Sequence, residues 1–529
     1  MSTLNDLYTD GIASGWNVLN AATLTEARTL EADVVIVGSG AGGGTAAEIL
    51  VAAGLKVLML EEGALYTAAD FKDMDEWRGY TTLYQEGGGR ATSDGAVSIF
   101  QGRAVGGTTT VNWTTSLRTP AQTLAHWARE HGVADADDTA MAPWFQRAEE
   151  RLGITPWAVA PNRNNALLRD GCEKLGWQWQ TIPRNVRGCW NLGYCGLGCP
   201  TNAKQSMLVT TIPESLKRGM TLVHHARVET VRVGKNGIEH LEVRALGADV
   251  RTPTGVTLTV RARHYVLAGG ALNTPALLLR SKAPDPHDLL GRRTCIHPVD
   301  ATLALFDDPV EGYHGAPQSI YSDQFLWPDQ GVGYKLEVPP LQPILTAGLF
   351  GSYGEALTRD MARLAHAQVN IALMRDGFSA SSTGGRVRVD DAGNPVLDYD
   401  FSADLWDALR RALLSMAEAQ FAAGARSVRP GHLDATDYTS WEAARQAIRA
   451  LPMQKQRVTL YTAHLMGGCP MGADPARSVV DSYGQHHHLE NLSILDGSIF
   501  PTSIGANPQL SIYAFVARNA TRLATALKT

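Results

Sequence analysis

The feature that most constrains this chain is the apolar, β-branched run Val34-Val35-Ile36-Val37, which ends in Gly38-Ser39-Gly40-Ala41-Gly42-Gly43-Gly44 and continues as Thr45 to Ala53. Such a run favours a strand, the glycines a tight turn, and the alanine- and leucine-rich stretch a helix. Gly38, Gly40 and Gly43 fit the pattern G-x-G-x-x-G. In that pattern the first glycine makes the turn, the second lets backbone approach a pyrophosphate, and the third packs helix on strand. The phosphates belong at the helix N-terminus, where unpaired N–H groups and the helix dipole favour anions. A glycine-rich turn alone is weak evidence. Here the next strand, Lys56 to Leu60, ends at Glu61, about where a ribose-binding acid belongs, so the full βαβ unit of a dinucleotide-binding, Rossmann-like domain is present.

At 529 residues the chain exceeds one ordinary core and is expected to form two or three domains. Its 44% hydrophobic and 19% charged residues exclude a disordered chain. A net charge of -6 gives no basic footprint for nucleic acid. No apolar run is long enough for a membrane-spanning helix, and the residues up to Glu31 lack an export-signal pattern, so a soluble, cytoplasmic protein is expected.

The expected fold class is α/β with an α+β second part: a Rossmann-like domain and a second domain of sheet plus helices. The division is 1–299 for the first domain, 300–460 for the second, and 461–529 for a return to the first. The first contains a cysteine loop at 185–206 and a small antiparallel meander at 220–262. Helical patterning runs from Pro120 to Leu152. Tyr265 to Leu267 reads as a buried strand, followed by a helix from Ala276 to Ser281. In the second domain, strand-like alternation at 333–338, 369–374 and 387–389 surrounds an amphipathic helix from about Ala403 to Ala422. The last segment holds the strand 492–495 and a helix from Pro508.

Three of six cysteines, Cys189, Cys195 and Cys199, crowd into one glycine-rich loop. That is no secreted disulfide framework. Three thiolates at short spacing are able to ligate an iron–sulfur cluster; a structural loop of reduced cysteines, or a zinc site missing its fourth ligand, is the alternative. The run His486 to His488 reads as a solvated turn rather than a metal site. His464, beside a glycine-rich turn, has the chemistry of a general base near neutral pH. Asn507 precedes Pro508, an arrangement that also suits a helix cap with proline at the first helical position.

These residues together resemble the glucose-methanol-choline (GMC) oxidoreductases, FAD-dependent enzymes that oxidise alcohols. The resemblance rests on the N-terminal fingerprint with Glu61, on Gly102-Arg103-x-x-Gly106-Gly107 with Asn112, and on Gly270-Ala271-x-x-Thr274-Pro275. It is completed by His297-Pro298, His464, Asp496-Gly497 and Asn507-Pro508. It implies that Gly38, Gly40 and Gly43 cradle the FAD pyrophosphate and Glu61 holds the ribose. Gly106, Gly107 and Asn112 would lie along the flavin ring, Val228 near the adenine, and Asp496 and Gly497 at the closing side. Members that bond FAD covalently carry histidine just before that asparagine; here Val111 stands there, which implies non-covalent FAD. The resemblance further implies His464 as the base, Asn507 as its partner in orienting the substrate oxygen, and flavin N5 as hydride acceptor.

The C-terminal Asn-Pro looks like that of cholesterol oxidase-like enzymes, and the region after the cysteines looks like that of long-chain alcohol oxidases. The implied substrate is a hydrophobic alcohol: long-chain, aromatic or sterol. The cysteine spacing also resembles that of bacterial FAD glucose dehydrogenases, in which three cysteines hold a three-iron cluster. That implies, as the alternative, a sugar dehydrogenase with an iron–sulfur relay to a cytochrome. Oxygen or a quinone would serve as acceptor without a cluster. From another class, flavin-dependent lyases and a fatty acid photodecarboxylase share this fold.

Overall fold

The computed structural model describes residues 6–235 and 237–528. The βαβ unit forms as expected: strand Arg28–Val37, helix Ala41–Ala52 and strand Val57–Leu60, with both strands parallel and Val34 level with Val57. It lies at the centre of an eight-stranded sheet. From one edge the order is Asn17–Asn20, Thr221–His224, Val57–Leu60, Arg28–Val37, Pro253–Leu267, Ile238–Leu246 and Ala226–Val233. The first five strands are parallel and the last two antiparallel. Buried Val34, Val35, Ile36 and Val57 to Leu60 make the sheet apolar on both faces, as a parallel sheet between layers requires.

Sequence reasoning separates the antiparallel meander from the buried strand at Tyr265. The structure merges them: Pro253–Leu267 is one 15-residue strand. Its first half pairs with the meander and its second half, buried on both faces, enters the parallel sheet. The strand Leu492–Ile494 pairs parallel to Tyr265–Leu267, so the C-terminal segment completes the first sheet. The last helix, Gln509–Lys528, packs on Ala41–Ala52.

A six-stranded sheet forms the second layer of the molecule, in the order Tyr334–Glu337, Ala367–Met374, Val299–Leu305, Leu460–Thr462 and Val97–Ile99, with Ser427–Pro430 also paired to Val299–Leu305. The amphipathic helix is found at Ala403–Ala423; it starts at the Ser402 cap and stops at Gly424, whose φ of 103° ends a helix without steric cost. It packs on this sheet through Leu409, Leu413 and Met416. Val97–Ile99 and helix Arg163–Leu175 come from the N-terminal half of the chain yet pack with this second sheet and its helix.

Two further expectations are corrected. The pattern over 120–152 is two helices, Ala121–His131 and Asp138–Leu152, because Gly132 takes φ 65° and ends the first. The helix expected at Ala276 starts at Gly270 and carries Pro275 inside it. Its first turn is fixed from outside, by the Asp496 carboxylate that accepts from the Gly270 N–H at 2.8 Å and from Thr274 Oγ1 at 2.6 Å.

Candidate active site

The glycines of the first loop form the turn between strand and helix, and two of them are tightly packed. A Cβ on Gly38 (φ 100°) would lie 2.4 Å from the Ala268 carbonyl oxygen, and one on Gly43 would lie 1.9 Å from the Gly38 carbonyl oxygen. A Cβ on Gly40, by contrast, meets nothing closer than the Gly107 Cα at 3.8 Å. The space in front of Gly40 is therefore open, at the N-cap of helix Ala41–Ala52. Unpaired N–H groups facing open space at a helix start suit a phosphate.

Ser39, which the motif leaves unspecified, joins the two glycine loops. Its hydroxyl donates to Glu61 Oε2 at 2.6 Å and accepts from the Gly106 N–H at 2.9 Å. Glu61 also accepts from the Ser39 and Gly63 N–H groups, and burial raises its carboxyl above the usual range against those bonds. Gly106 and Gly107 take φ 91° and 53°, which lets the second loop pass close to the first. Asn112 donates to Gln509 Oε1 at 2.7 Å and so ties this loop to the final helix. Asp496 accepts from Gly270, Thr274 and Ser498.

A cavity of about 350 Å³ runs between the two sheets. Gly38, Gly40, Glu61, Gly107, Asn112, Val228, Asp496 and Gly497 line it, and so do His464 and Asn507; Gly43 and Gly106 stand behind the wall. Val111 lies on the wall as well. The crowded glycines, the open helix start and the buried acid beside it fit an FAD, and no histidine precedes Asn112 to bond it.

On the cavity wall His464 meets His297, with Nδ1 to Nδ1 at 3.2 Å. Only one of those nitrogens carries the proton. With His464 as donor, its Nε2 lone pair is free. Burial, with the nearby Lys335 ammonium, pushes His464 down to about 4. Burial first, and then His464, Lys335 and Arg375, holds His297 well below its usual value. His297 stands at φ 49°, a strained backbone held by Asp376, whose carboxylate accepts from the Ile296 and His297 N–H groups at 2.9 and 3.1 Å.

Asn507 Nδ2 donates to Glu337 Oε2 at 3.2 Å. The same oxygen accepts from Gln318 Nε2 at 2.7 Å, and Gln318 is oriented in turn by Thr115. Asn507 Oδ1, Glu337 Oε1 and His297 Nε2 are buried without a partner. Asn507 and Glu337 adjoin on the cavity wall, and their unmet atoms are costly unless a ligand or water meets them. Glu337, raised by burial and lowered in part by Lys335, was not singled out from the sequence, nor were Lys335, Gln318 and Ser39. His297 was noticed only as part of a motif.

The cysteines do not join this cavity. Among the described residues no three His, Cys, Asp or Glu side chains are grouped as a metal requires. The sulfurs of Cys189, Cys195 and Cys199 instead accept from Asn191 N, Arg184 Nη2 and Lys204 N at 3.4 to 3.5 Å. The iron–sulfur reading thus finds no support. The buried Lys204 organises the loop: its ammonium donates to the carbonyls of Thr110, Asn112 and Cys195, and burial lowers it to about 8. His486 also departs from the solvated turn expected of it: it is buried, which pushes it down to about 4. No helix among the described residues is long and apolar enough to cross a membrane.

Comparison with known proteins agrees with this arrangement. Two family models described as GMC oxidoreductase match residues 80–299 and 380–515. A GMC-type oxidoreductase of Mycobacterium tuberculosis strain H37Rv, itself uncharacterized, is 34% identical over 485 residues, which cover 91% of this chain and 74% of that protein. One from Sinorhizobium fredii is 30% identical over 502 residues, covering 92% and 94%. A long-chain-alcohol oxidase of Arabidopsis thaliana is 30% identical over 504 residues, covering 91% of this chain and 66% of the plant protein. Among solved structures, pyridoxine 4-oxidase from Mesorbium loti superposes with a TM-score of 0.68 at 20% identity, covering 93% of this chain and 98% of the other. Such a likeness speaks for the fold alone. The two family matches, the relatives that run along most of the chain and the glycine-built cavity lead to one conclusion: the chain belongs to the GMC oxidoreductases and is a flavoprotein oxidoreductase.

Proposed function

We propose that the protein oxidises a hydrophobic alcohol, long-chain, aromatic or sterol, to its aldehyde or ketone, with non-covalent FAD. The observation that carries this reading is the placement of His464 and Asn507 on one cavity wall with apolar Val299, Ile371, Leu373, Leu345 and Leu349. The segment 1–299 with 461–529 serves the cofactor and 300–460 the substrate. Gly38 and Gly40 line the pyrophosphate space, with Gly43 packing the helix behind them; Glu61 holds the ribose and Val228 the adenine side. Gly106, Gly107, Asn112, Asp496 and Gly497 frame the ring.

The bound FAD supplies a two-electron acceptor for the carbinol carbon. His464 does the acid–base work: neutral at physiological pH, its Nε2 takes the hydroxyl proton, and His297 receives its Nδ1–H. Asn507 keeps one Nδ2 hydrogen on Glu337, which fixes the amide plane and leaves the other hydrogen for the substrate oxygen. The apolar walls exclude water and hold the alkyl or ring body by burial.

The reading is tested by mixing the FAD-loaded protein anaerobically with 1-dodecanol, benzyl alcohol, a sterol and glucose while following the flavin absorbance. Bleaching by one or more of the apolar alcohols and not by glucose is expected. Bleaching by glucose alone would mean the sugar dehydrogenase; no bleaching by any alcohol would turn the reading to a lyase or photodecarboxylase. Re-oxidation by air, quinone or cytochrome then identifies the acceptor.

A pH profile tests the base. His464 must be neutral to accept a proton, and its value of about 4 lies below that of a free histidine. The acid limb of kcat/KM is therefore expected near pH 4, with a plateau above it. A limb between pH 6 and 7 would assign the base to a group with an ordinary histidine value.

A further inference from the structure

A second pocket, of about 450 Å³, lies where helix Ala121–His131 faces the residues that follow strand Ala367–Met374. At its centre is Arg375, buried to 8% exposure. Two rings wall the guanidinium on adjacent sides: its Cζ lies 4.1 Å from the Trp327 centroid and 4.2 Å from that of Phe378, and the rings stand at 88° to each other. His126 leans on Phe378 with centroids 4.9 Å apart.

What the pocket lacks is a counter-charge. No carboxylate lines it, and Arg375 Nε is buried without a partner. Arg129, at the rim, is already paired with exposed Glu130 at 2.7 Å. A buried, unpaired guanidinium is strongly unfavourable, and stacked aromatics offset only part of its lost hydration. Because the two rings stand on adjacent sides, the remaining sides of the guanidinium fork are left for an anion in its own plane.

We propose that this pocket binds an organic carboxylate, its two oxygens on the fork of Arg375 and its body against Trp327 and Phe378. A monoanion matches the one buried cation, and the ring surfaces of Trp327 and Phe378 suit an organic body that inorganic phosphate lacks. The site is separate from the cavity of His464, though Asp376, which holds the His297 backbone, is the next residue after Arg375.

The test uses the FAD-loaded protein with benzoate, acetate and inorganic phosphate as probes, read by calorimetry, tryptophan emission and the visible flavin spectrum. Benzoate is expected to bind saturably at one per chain, more tightly than acetate or phosphate, and to quench Trp327 without moving the flavin bands. Arg375→Met should weaken it by about tenfold to a hundredfold, the scale of a lost charge-assisted bidentate contact. Trp327→Phe, a change at a residue 37% exposed, should keep binding and lose the quench. If Arg375→Met does not fold, Arg375→Lys, which keeps the charge and loses the fork, is expected to bind more weakly. The proposal is overturned by no saturable binding, by equal affinity in the Arg375 variants, or by tighter phosphate than benzoate. It is equally overturned by a shifted flavin spectrum with unchanged tryptophan emission, which would place benzoate in the first cavity.

Discussion

His464→Ala is expected to lower kcat by about 10²–10⁴-fold, the range for removing a positioned general base. FAD content should be unchanged, because His464 is not among the residues proposed to hold the cofactor. The anaerobic rate of flavin reduction by the alcohol is the measurement, since it isolates the step in which the proton leaves. Exogenous imidazole should restore part of the rate in the cavity that the missing ring leaves. His297→Asn should cost less, because it alters only how His464 is oriented and which nitrogen carries its proton. Wild-type reduction by His464→Ala would remove it from the chemistry and move attention to Glu337, a buried carboxylate on the cavity wall with an unpartnered Oε1.

The second large effect separates the glycines by what each is for. In Gly43→Ala the new Cβ would fall 1.9 Å from the Gly38 carbonyl oxygen, so the helix Ala41–Ala52 must move off its strand. Overpacking of this kind costs about 1–3 kcal/mol or more, and the FAD-depleted protein should melt at a lower temperature than wild type. Gly40→Ala meets only the Gly107 Cα at 3.8 Å and takes an ordinary φ of -69°. The FAD-depleted form of that variant should melt like wild type, while its methyl group intrudes on the space proposed for the phosphates and lowers FAD content. Equal FAD content in Gly40→Ala and wild type would remove the pyrophosphate from this loop.

The legible parts of the fold are those whose cause is local. A β-branched run, a glycine turn and an alanine-rich helix are each dictated by neighbouring residues, and the βαβ unit follows. Strand Tyr334–Glu337 was legible as a strand but not as part of the site. Lys335 and Glu337 look like the outward face of an alternating pattern, yet both are buried, at 1% and 0% exposure. Their compensation comes from elsewhere in the chain: Asp323 and the Tyr321 ring for Lys335, Gln318 and Asn507 for Glu337. No window of sequence shows that pairing. The cysteine loop misleads for the converse reason: short spacing says that three thiols are near along the chain, not that their sulfurs turn to a common point. His464 and Asn507 were reached only through resemblance, since a lone histidine and an Asn-Pro pair have ordinary structural uses.

The slot beside Tyr265–Leu267, filled by Leu492–Ile494, sets an order of events during synthesis. Helix Ala41–Ala52 leans there on the Leu495 carbonyl, close enough that Gly42 has no room for a methyl group, and Asp496 clamps the start of helix Gly270–Arg280. A nascent chain that has emerged only as far as the second sheet already owns every glycine of the first loop, but its central sheet still has an open edge. Strand pairing across more than two hundred residues comes late and slowly. The pocket is thus complete only once Leu492 to Asp496 has joined the sheet. A chain stopped before residue 492 would expose a sticky parallel edge rather than a weaker enzyme, and the cofactor can act as a seal only with that segment in place.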